Sequence, residues 1–498
     1  MIKVSPHIIG FILLLIMTSC YNEQTGIPEN LHLSMEKNEL LSFNHRTCAL
    51  DINTRTLRVP INSSEMANFN PLIEFSNEAA VYFNDIELNN HEVNTLGDIE
   101  LKESYAIRME FHDSTFYFNL KFTNLPIVQV ITPNAIHDEP KTLARMVITN
   151  PASDCENEEA WIGIEHRGRT ALQFDKKAYG INSLSAADLN AQTTNSFLNL
   201  PQQSKWILDA MYIDKSRLRN KICFQIWESM HPDHPELSVH AEFVELYINE
   251  THQGIYTLGE NITPEKLHLS NLDALMYKAV EWGNGGTTFY EAGDLSTANW
   301  YWDGWEQVYP DPKYRINWES LHELRNLVVL ADNEQFTEQI SQHIDIDNFV
   351  DYFIFLNLIS AGDNIGKNTF FYRYNGDETL KYLPWDLDTG FGIDWEGNYT
   401  LTVIKHSNKL YDRLLSLNPD NFREKCKLRW QALRQDAFET DNILQYFSEN
   451  FAIITVSDII DLENQLWNSE IDSKNEQNHI ESWTEARLQF LDAYFERM

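Results

Sequence analysis

Positive charge is scarce in this sequence: 38 Lys and Arg face 74 Asp and Glu across 498 residues, a formal charge of -36. A surface of that sign repels phosphate backbones, which argues against direct nucleic-acid binding. Cysteine is sparse as well. The five, Cys20, Cys48, Cys155, Cys223 and Cys426, lie far apart with no CxxC and no paired Cys/His spacing, which argues against structural zinc. Spacing does not pair them into disulfides either. The histidines are scattered, without HExxH, and no GxSxG occurs, so neither a zincin nor an α/β-hydrolase is indicated. There is no internal repeat and no low-complexity linker. Beyond the first twenty residues, no apolar run is long enough to suggest a membrane span.

What is present is a globular composition, 43% hydrophobic and 12% aromatic, on a chain long enough for two or three domains. It opens "MIKVSPHIIGFILLLIMTSC", one Lys, a short apolar run from Ile8 to Met17 and small residues before Cys20. That pattern predicts an export signal over residues 1–20 ending in a lipobox, with Cys20 lipidated as the first residue of the mature chain. The expected protein is exported, an outer-membrane or cell-surface lipoprotein (or one on the periplasmic face), touching the membrane only through its lipid anchor.

Short period-two runs such as "RTLRVPI", "YAIRMEFH" and "STFYFNLKFTNL", bounded by turn residues, predict a small Ig-like β-sandwich over residues 28–123. Nothing catalytic falls in it, so it reads as a spacer or adhesive module. A mixed region comes next, with strand candidates "WIGIEHRG", "AEFVELYIN" and "QGIYTLGENI" and helices suggested by "SKWILDAMYIDKSRLRNKICFQIWE". From about Tyr314 the apolar period becomes three to four, as in "NFVDYFIFLNLISA" and "ESWTEARLQFLDAYFERM", which is helical.

One stretch concentrates oxygen ligands: "SAGDNIGKNTFFYRYNGDETLKYLPWDLDTGFG", residues 360–392. An apolar helix ends near Gly362, and Asp363 opens a loop that runs to Asn368. "TFFYRY" and "LKYLPW" then read as a hairpin turned by Asn375-Gly376. A hairpin returns its ends to within about 5 Å of each other, so Asp386 is expected near Asn368 and Asp363. Phosphoryl transfer needs this set: a carboxylate to orient a hydroxyl, and oxygen ligands for magnesium on the nucleotide phosphates. Asp363-x4-Asn368, with Asp386 after the hairpin, reproduces the spacing of the kinase base and its two metal ligands, although no His-Arg precedes Asp363. Other readings stay open at this level. Asp363, Asn364 and Asp377 are ordinary turn residues, and "DLDTGFGID" offers Asp386, Asp388 and Asp394 to structural calcium. A carboxylate pair for glycoside hydrolysis carries no specificity in so acidic a chain.

Elsewhere "EHRGRTALQFDKKAYGIN" gathers Arg167, Arg169, Lys176 and Lys177, cations suited to phosphate oxygens or to a solvated patch. "EWGNGGTTFY", with Gly283, Gly285 and Gly286, matches no phosphate-loop pattern and reads as a loop. Glu245 and Glu260 are candidates to pair with a lysine or to edge a sheet.

In order along the chain, "NLPIVQV", "RGRTALQFDKKAYGI", "WILDAMYIDKSRLRN", "FVELYINETHQGIYTLGENI", "VDYFIFLNLISAGDNIGKNTFFYRY", "LPWDLDTGFG" and "RLLSLNPDNFREKCKLRW" resemble the CotH kinases, a family related at fold level to protein kinases. The resemblance covers most of residues 125–435. It implies an α+β, atypical kinase-like domain over 124–498, with a β-rich N-lobe to about 290 and a helical C-lobe beyond. It implies ATP with Mg2+ (or Mn2+), and transfer to Ser/Thr hydroxyls of a protein substrate with a Ser/Thr-rich segment. On matching positions Asp363 is the catalytic base, Asn368, Asp386 and Asp388 are metal ligands, and Arg167, Lys176 and Lys177 are the phosphate-contact candidates. The family's Ser-Ser after Arg-Gly is here Arg169-Thr170. Because ATP is scarce outside the inner membrane, the alternative is a catalytically inactive, kinase-like surface lipoprotein, an adhesin or polysaccharide-binding protein with a structural metal.

Overall fold

The computed structural model describes residues 40–152 and 157–498. The export signal, Cys20, residues 28–39 and Cys155 therefore lie outside the described residues. Alternating apolar positions in the first hundred described residues build two sheets, one of four strands and one of six. Leu41, Phe43, Leu57, Val81, Ile107 and Leu120 meet between them in one core. This module is not a free spacer. Arg58, buried on the strand Thr56–Pro60, forms an ion pair with Glu245 at 2.6 Å and with Asp458 at 2.5 Å, and Lys121 reaches the same Asp458 at 2.5 Å. Breaking a buried ionic cluster strands its remaining charges in low dielectric, which fixes the module against the segments that carry Glu245 and Asp458.

Next comes a closed seven-stranded barrel. Its seam is the parallel pairing of Ile127–Ile131 with Ala241–Ile248, and antiparallel neighbours complete the ring. Every second residue faces inward, as in Val128 and Val130, Ala144, Met146 and Ile148, Ile162 and Ile164, Tyr256 and Leu258. "KWILD" is a strand, Lys205–Asp209, where helix was expected; five residues flanked by two partners, Ala178–Leu184 and Thr251–Glu260, gain more from ladder bonds than from one helical turn. The helix begins later, at Arg219–Met230, and buries Ile222, Cys223, Ile226 and Trp227 in the large helical core.

A five-stranded antiparallel sheet then joins distant segments. Its order is Tyr301–Trp302, Trp305–Tyr309, Leu275–Ala279, Thr369–Arg373, Lys381–Pro384. The division expected near residue 290 falls between strands of this one sheet. Behind it lies the helix Ile346–Ile359, whose Tyr352 stacks on Tyr382 at 4.2 Å between ring centroids. The chain closes with the helices Lys409–Leu417, Phe422–Leu433, Thr440–Thr455, Ile459–Trp467 and Ser473–Glu496. The fold is thus mixed α+β. Among the described residues, no helix is long and apolar enough to cross a membrane.

Candidate active site

The apolar helix Ile346–Ile359 stops at Ser360, which turns left-handed at φ 60, and Asp363 opens a short 3-10 turn, Asp363–Ile365. The hairpin Thr369–Arg373 with Lys381–Pro384 forms as its sequence predicts, with Gly376 at φ +82 in the turn. Its register pairs Thr369 with Pro384, so Asn368 and Trp385 meet just outside the ladder, where Trp385 N donates to Asn368 O at 3.1 Å. Asn368 and Asp386 are both left-handed, at φ 54 and 55, a conformation that Asn and Asp tolerate best among residues with a Cβ. Asn364 holds the two ends together: its buried Nδ2 donates to Asn368 O at 2.7 Å and to Trp385 O at 2.8 Å.

These ends open onto a cleft of about 1350 Å³ between the barrel and the five-stranded sheet. Arg167, Lys176, Asp363, Asn368, Asp386 and Asp388 all line it. Lys177 does not; its Nζ donates to Leu172 O at 2.8 Å and to Phe174 O. Lys176 is buried, donating to Glu463 Oε1 at 2.6 Å and to Ile255 O at 2.5 Å. Burial pulls its ammonium down to about 8, Glu463 opposing and Arg217 adding to the fall. Glu463 itself stays ionised against burial because Lys176 and Arg217 share it. Glu260 pairs with Lys266 at 2.7 Å, away from the cleft lining.

Sequence reading missed three residues of the site. Lys278, on the strand Leu275–Ala279, lines the cleft floor with its Nζ 5.3 Å from the Trp385 ring centroid; burial and Arg167 hold its ammonium at about 8 despite Asp386. Asp209, the last residue of "WILD", also lines the cleft and accepts a hydrogen bond from Asn220 Nδ2 at 2.8 Å, while Asn220 Oδ1 takes Leu387 N at 3.0 Å. Lys367 binds Asp363 Oδ2 at 2.7 Å. Only Lys367, one residue before Asn368, had a positional signal; the other two are single polar residues on strands. The glycine segment after Val280 borders the cleft, but Gly283 is required by packing: a Cβ there would sit 2.4 Å from Asp303 O.

The carboxylates repel one another. Asp386 is exposed to the cleft yet walled by protein, and its pKa is raised by burial and by Asp209 and Asp363, with Arg167 and Lys278 opposing. Asp388 is raised further, by burial and then by Asp386, Asp209, Asp214 and Asp363. Among the described residues, no three His, Cys, Asp or Glu side chains converge closely enough to hold a metal ion alone. Crowded carboxylates beside the Asn368 carboxamide instead fit magnesium, which takes one or two carboxylates and completes its shell with water and substrate phosphate.

The sequence profile of the CotH kinase protein family matches residues 164–491, a span containing every cleft residue named above. A curated relative, inner spore coat protein H of Bacillus subtilis (strain 168), is 24% identical over 283 residues, covering 56% of this chain and 72% of its own length. Among solved structures, the crystal structure of a Helicobacter pylori proinflammatory kinase, CtkA, aligns over 61% of this chain and 94% of that one at 10% identity; its TM-score of 0.29 carries no argument about fold. With the family profile matched over well more than half of its length, and the profile's span enclosing the whole cleft, the chain belongs to the CotH kinase protein family.

Proposed function

We propose that this protein is an atypical, two-lobed protein kinase that transfers the ATP γ-phosphoryl group to Ser/Thr hydroxyls of a protein substrate in the cell envelope. The barrel forms the wall of the N-lobe, the helices behind the five-stranded sheet form the C-lobe, and the cleft between barrel and sheet takes the nucleotide. Asn368, Asp386 and Asp388 would hold Mg2+ (or Mn2+), which supplies charge neutralisation on the phosphate oxygens. Asp363 orients the acceptor hydroxyl and takes its proton while the new O–P bond forms and the bond to the ADP oxygen breaks. Lys367 holds Asp363 in place at 2.7 Å. Lys176, locked by Glu463, plays the part of the kinase Lys–Glu ion pair, and Arg167 faces the phosphates. The lipobox at Cys20 supports export as an acylated lipoprotein of the outer membrane or cell surface.

One observation carries the reading. The cleft gathers the carboxyl groups of Asp363, Asp386 and Asp388, the oxygen donors a metal takes, beside Arg167 and Lys278, cations with no acceptor hydrogen-bonded to them among the described residues. A structural metal alone, as in an adhesin, satisfies the first set and leaves the second. A metal–nucleotide complex satisfies both.

The test uses the chain from Cys20 onward with Mg2+ and γ-labelled ATP. Wild type binds Mg·ATP and labels itself or a Ser-rich substrate, whereas Asp363→Asn keeps the binding and loses transfer by roughly 10²- to 10⁴-fold. A wild-type protein that neither binds nor labels refutes the kinase reading.

A further inference from the structure

Among the described residues, five cations line the cleft: Arg167, Arg169, Lys176, Lys278 and Lys367. Three are occupied. Arg169 pairs with Glu281, Lys176 with Glu463 and Lys367 with Asp363. Arg167 and Lys278 have neither a hydrogen bond nor an ion pair among the described residues, and both sit over one indole, Trp385, at 5.6 and 5.3 Å from its centroid. Other enclosed lysines of this protein do not share that condition: Lys177 is satisfied by two carbonyls, Lys221 by Ala241 O, Lys266 by Glu260. Two like charges held against the same ring, with no anion bonded between them, make a site that a multiply charged anion completes.

The sheet register places that site beside the metal ligands. Lys278 pairs with Phe370 and Ala279 with Thr369, and Asn368 N donates to Ala279 O at 2.9 Å. Lys278 is therefore one residue from the backbone bond that anchors Asn368, and its side chain crosses Phe370, 5.5 Å from the centroid, toward Trp385, the neighbour of Asp386. We propose that Lys278 is a nucleotide-binding residue, its ammonium bonding the phosphate chain beside the metal ligands together with Arg167, while Lys176 is held mainly by Glu463. This rests on the kinase reading and adds to it a phosphate contact on the five-stranded sheet rather than on the barrel.

The test is calorimetric titration of the mature chain with Mg·ATP, magnesium tripolyphosphate and adenosine. Lys278→Met weakens ATP and tripolyphosphate binding by roughly 10- to 100-fold, the weight of one charge-assisted contact, leaves adenosine unchanged, and Lys278→Arg restores most of the loss. Lys278→Gln gives the same readout should the methionine variant fail to fold. A folded Lys278→Met protein that binds tripolyphosphate like wild type overturns the assignment and leaves the kinase reading standing. Wild type that binds neither phosphate ligand overturns both.

Discussion

The sharpest consequence of the hairpin geometry concerns Asn364, a residue that touches no substrate in the proposed reaction. Its amide nitrogen is the clasp between Asn368 and Trp385, at 2.7 and 2.8 Å, and so between the two ends that carry Asn368 and Asp386. Asn364→Ala removes both bonds. Asn368 O retains Trp385 N at 3.1 Å, but among the described residues Trp385 O has no other donor and is left orphaned inside the protein. Two buried bonds lost and one acceptor stranded amount to about 2–4 kcal/mol. The same change frees two left-handed residues to relax, and loss of such an outer contact typically weakens metal binding by roughly 10- to 100-fold. The assay is a Mg2+ titration of ATP binding at saturating nucleotide, alongside urea denaturation. The expected result is a raised magnesium half-saturation, partly rescued by higher magnesium, together with lower stability. A variant that loses stability while its magnesium dependence stays at the wild-type value refutes the clasp.

Other perturbations test the surroundings. Glu463→Gln strands two buried cations, Lys176 and Arg217, and is expected to cost about 3–5 kcal/mol in chemical denaturation. Arg58→Met leaves buried Glu245 with only His252 and Asp458 with only Lys121; a loss of about 3 kcal/mol, with earlier proteolysis at the sandwich–barrel junction, is expected, whereas an independent spacer would show no change in the stability of the rest. His406, whose Nε2 lies 2.8 Å from Ser360 Oγ just before the Asp363 turn, is held neutral by burial and then by Arg487, its pKa lowered to about 4. The unfolded chain binds that proton near pH 6.5 and the fold does not, so stability is full above pH 6.5 and falls as pH drops toward 4, by about 3 kcal/mol from this group. His406→Asn should flatten that part of the acid-stability profile.

Legibility in the sequence tracks contact range. The hairpin and the Asp363-x4-Asn368 spacing are readable because turn chemistry and period-two alternation act within some twenty residues. "KWILD" misleads for the opposite reason: only its pairing with Ala178–Leu184 and Thr251–Glu260 makes it a strand, and those partners lie far off in sequence. The partner of Lys176 is beyond reach, since Glu463 comes 287 residues later on a helix whose pattern gives no sign of a buried charge. The docking of the sandwich rests on Arg58 and Asp458, 400 residues apart.

Lys278 shows why the remaining part of the site stays hidden. In "LMYKA" it is a single cation in an apolar strand, indistinguishable by sequence from a residue at a sheet edge. Its meaning comes from three segments meeting: its own strand, Arg167 on the barrel, and Trp385 after the hairpin. Each is locally unremarkable, and only the closed cleft turns two unbonded cations and two crowded carboxylates into one site with complementary needs. A cation added by itself relieves the carboxylates and leaves Arg167 and Lys278 unbonded. An anion added by itself pairs with those two but leaves the crowding of Asp386 and Asp388 unrelieved. Binding of Mg2+ and of the triphosphate is therefore expected to be mutually reinforcing, each ligand raising affinity for the other by the same factor.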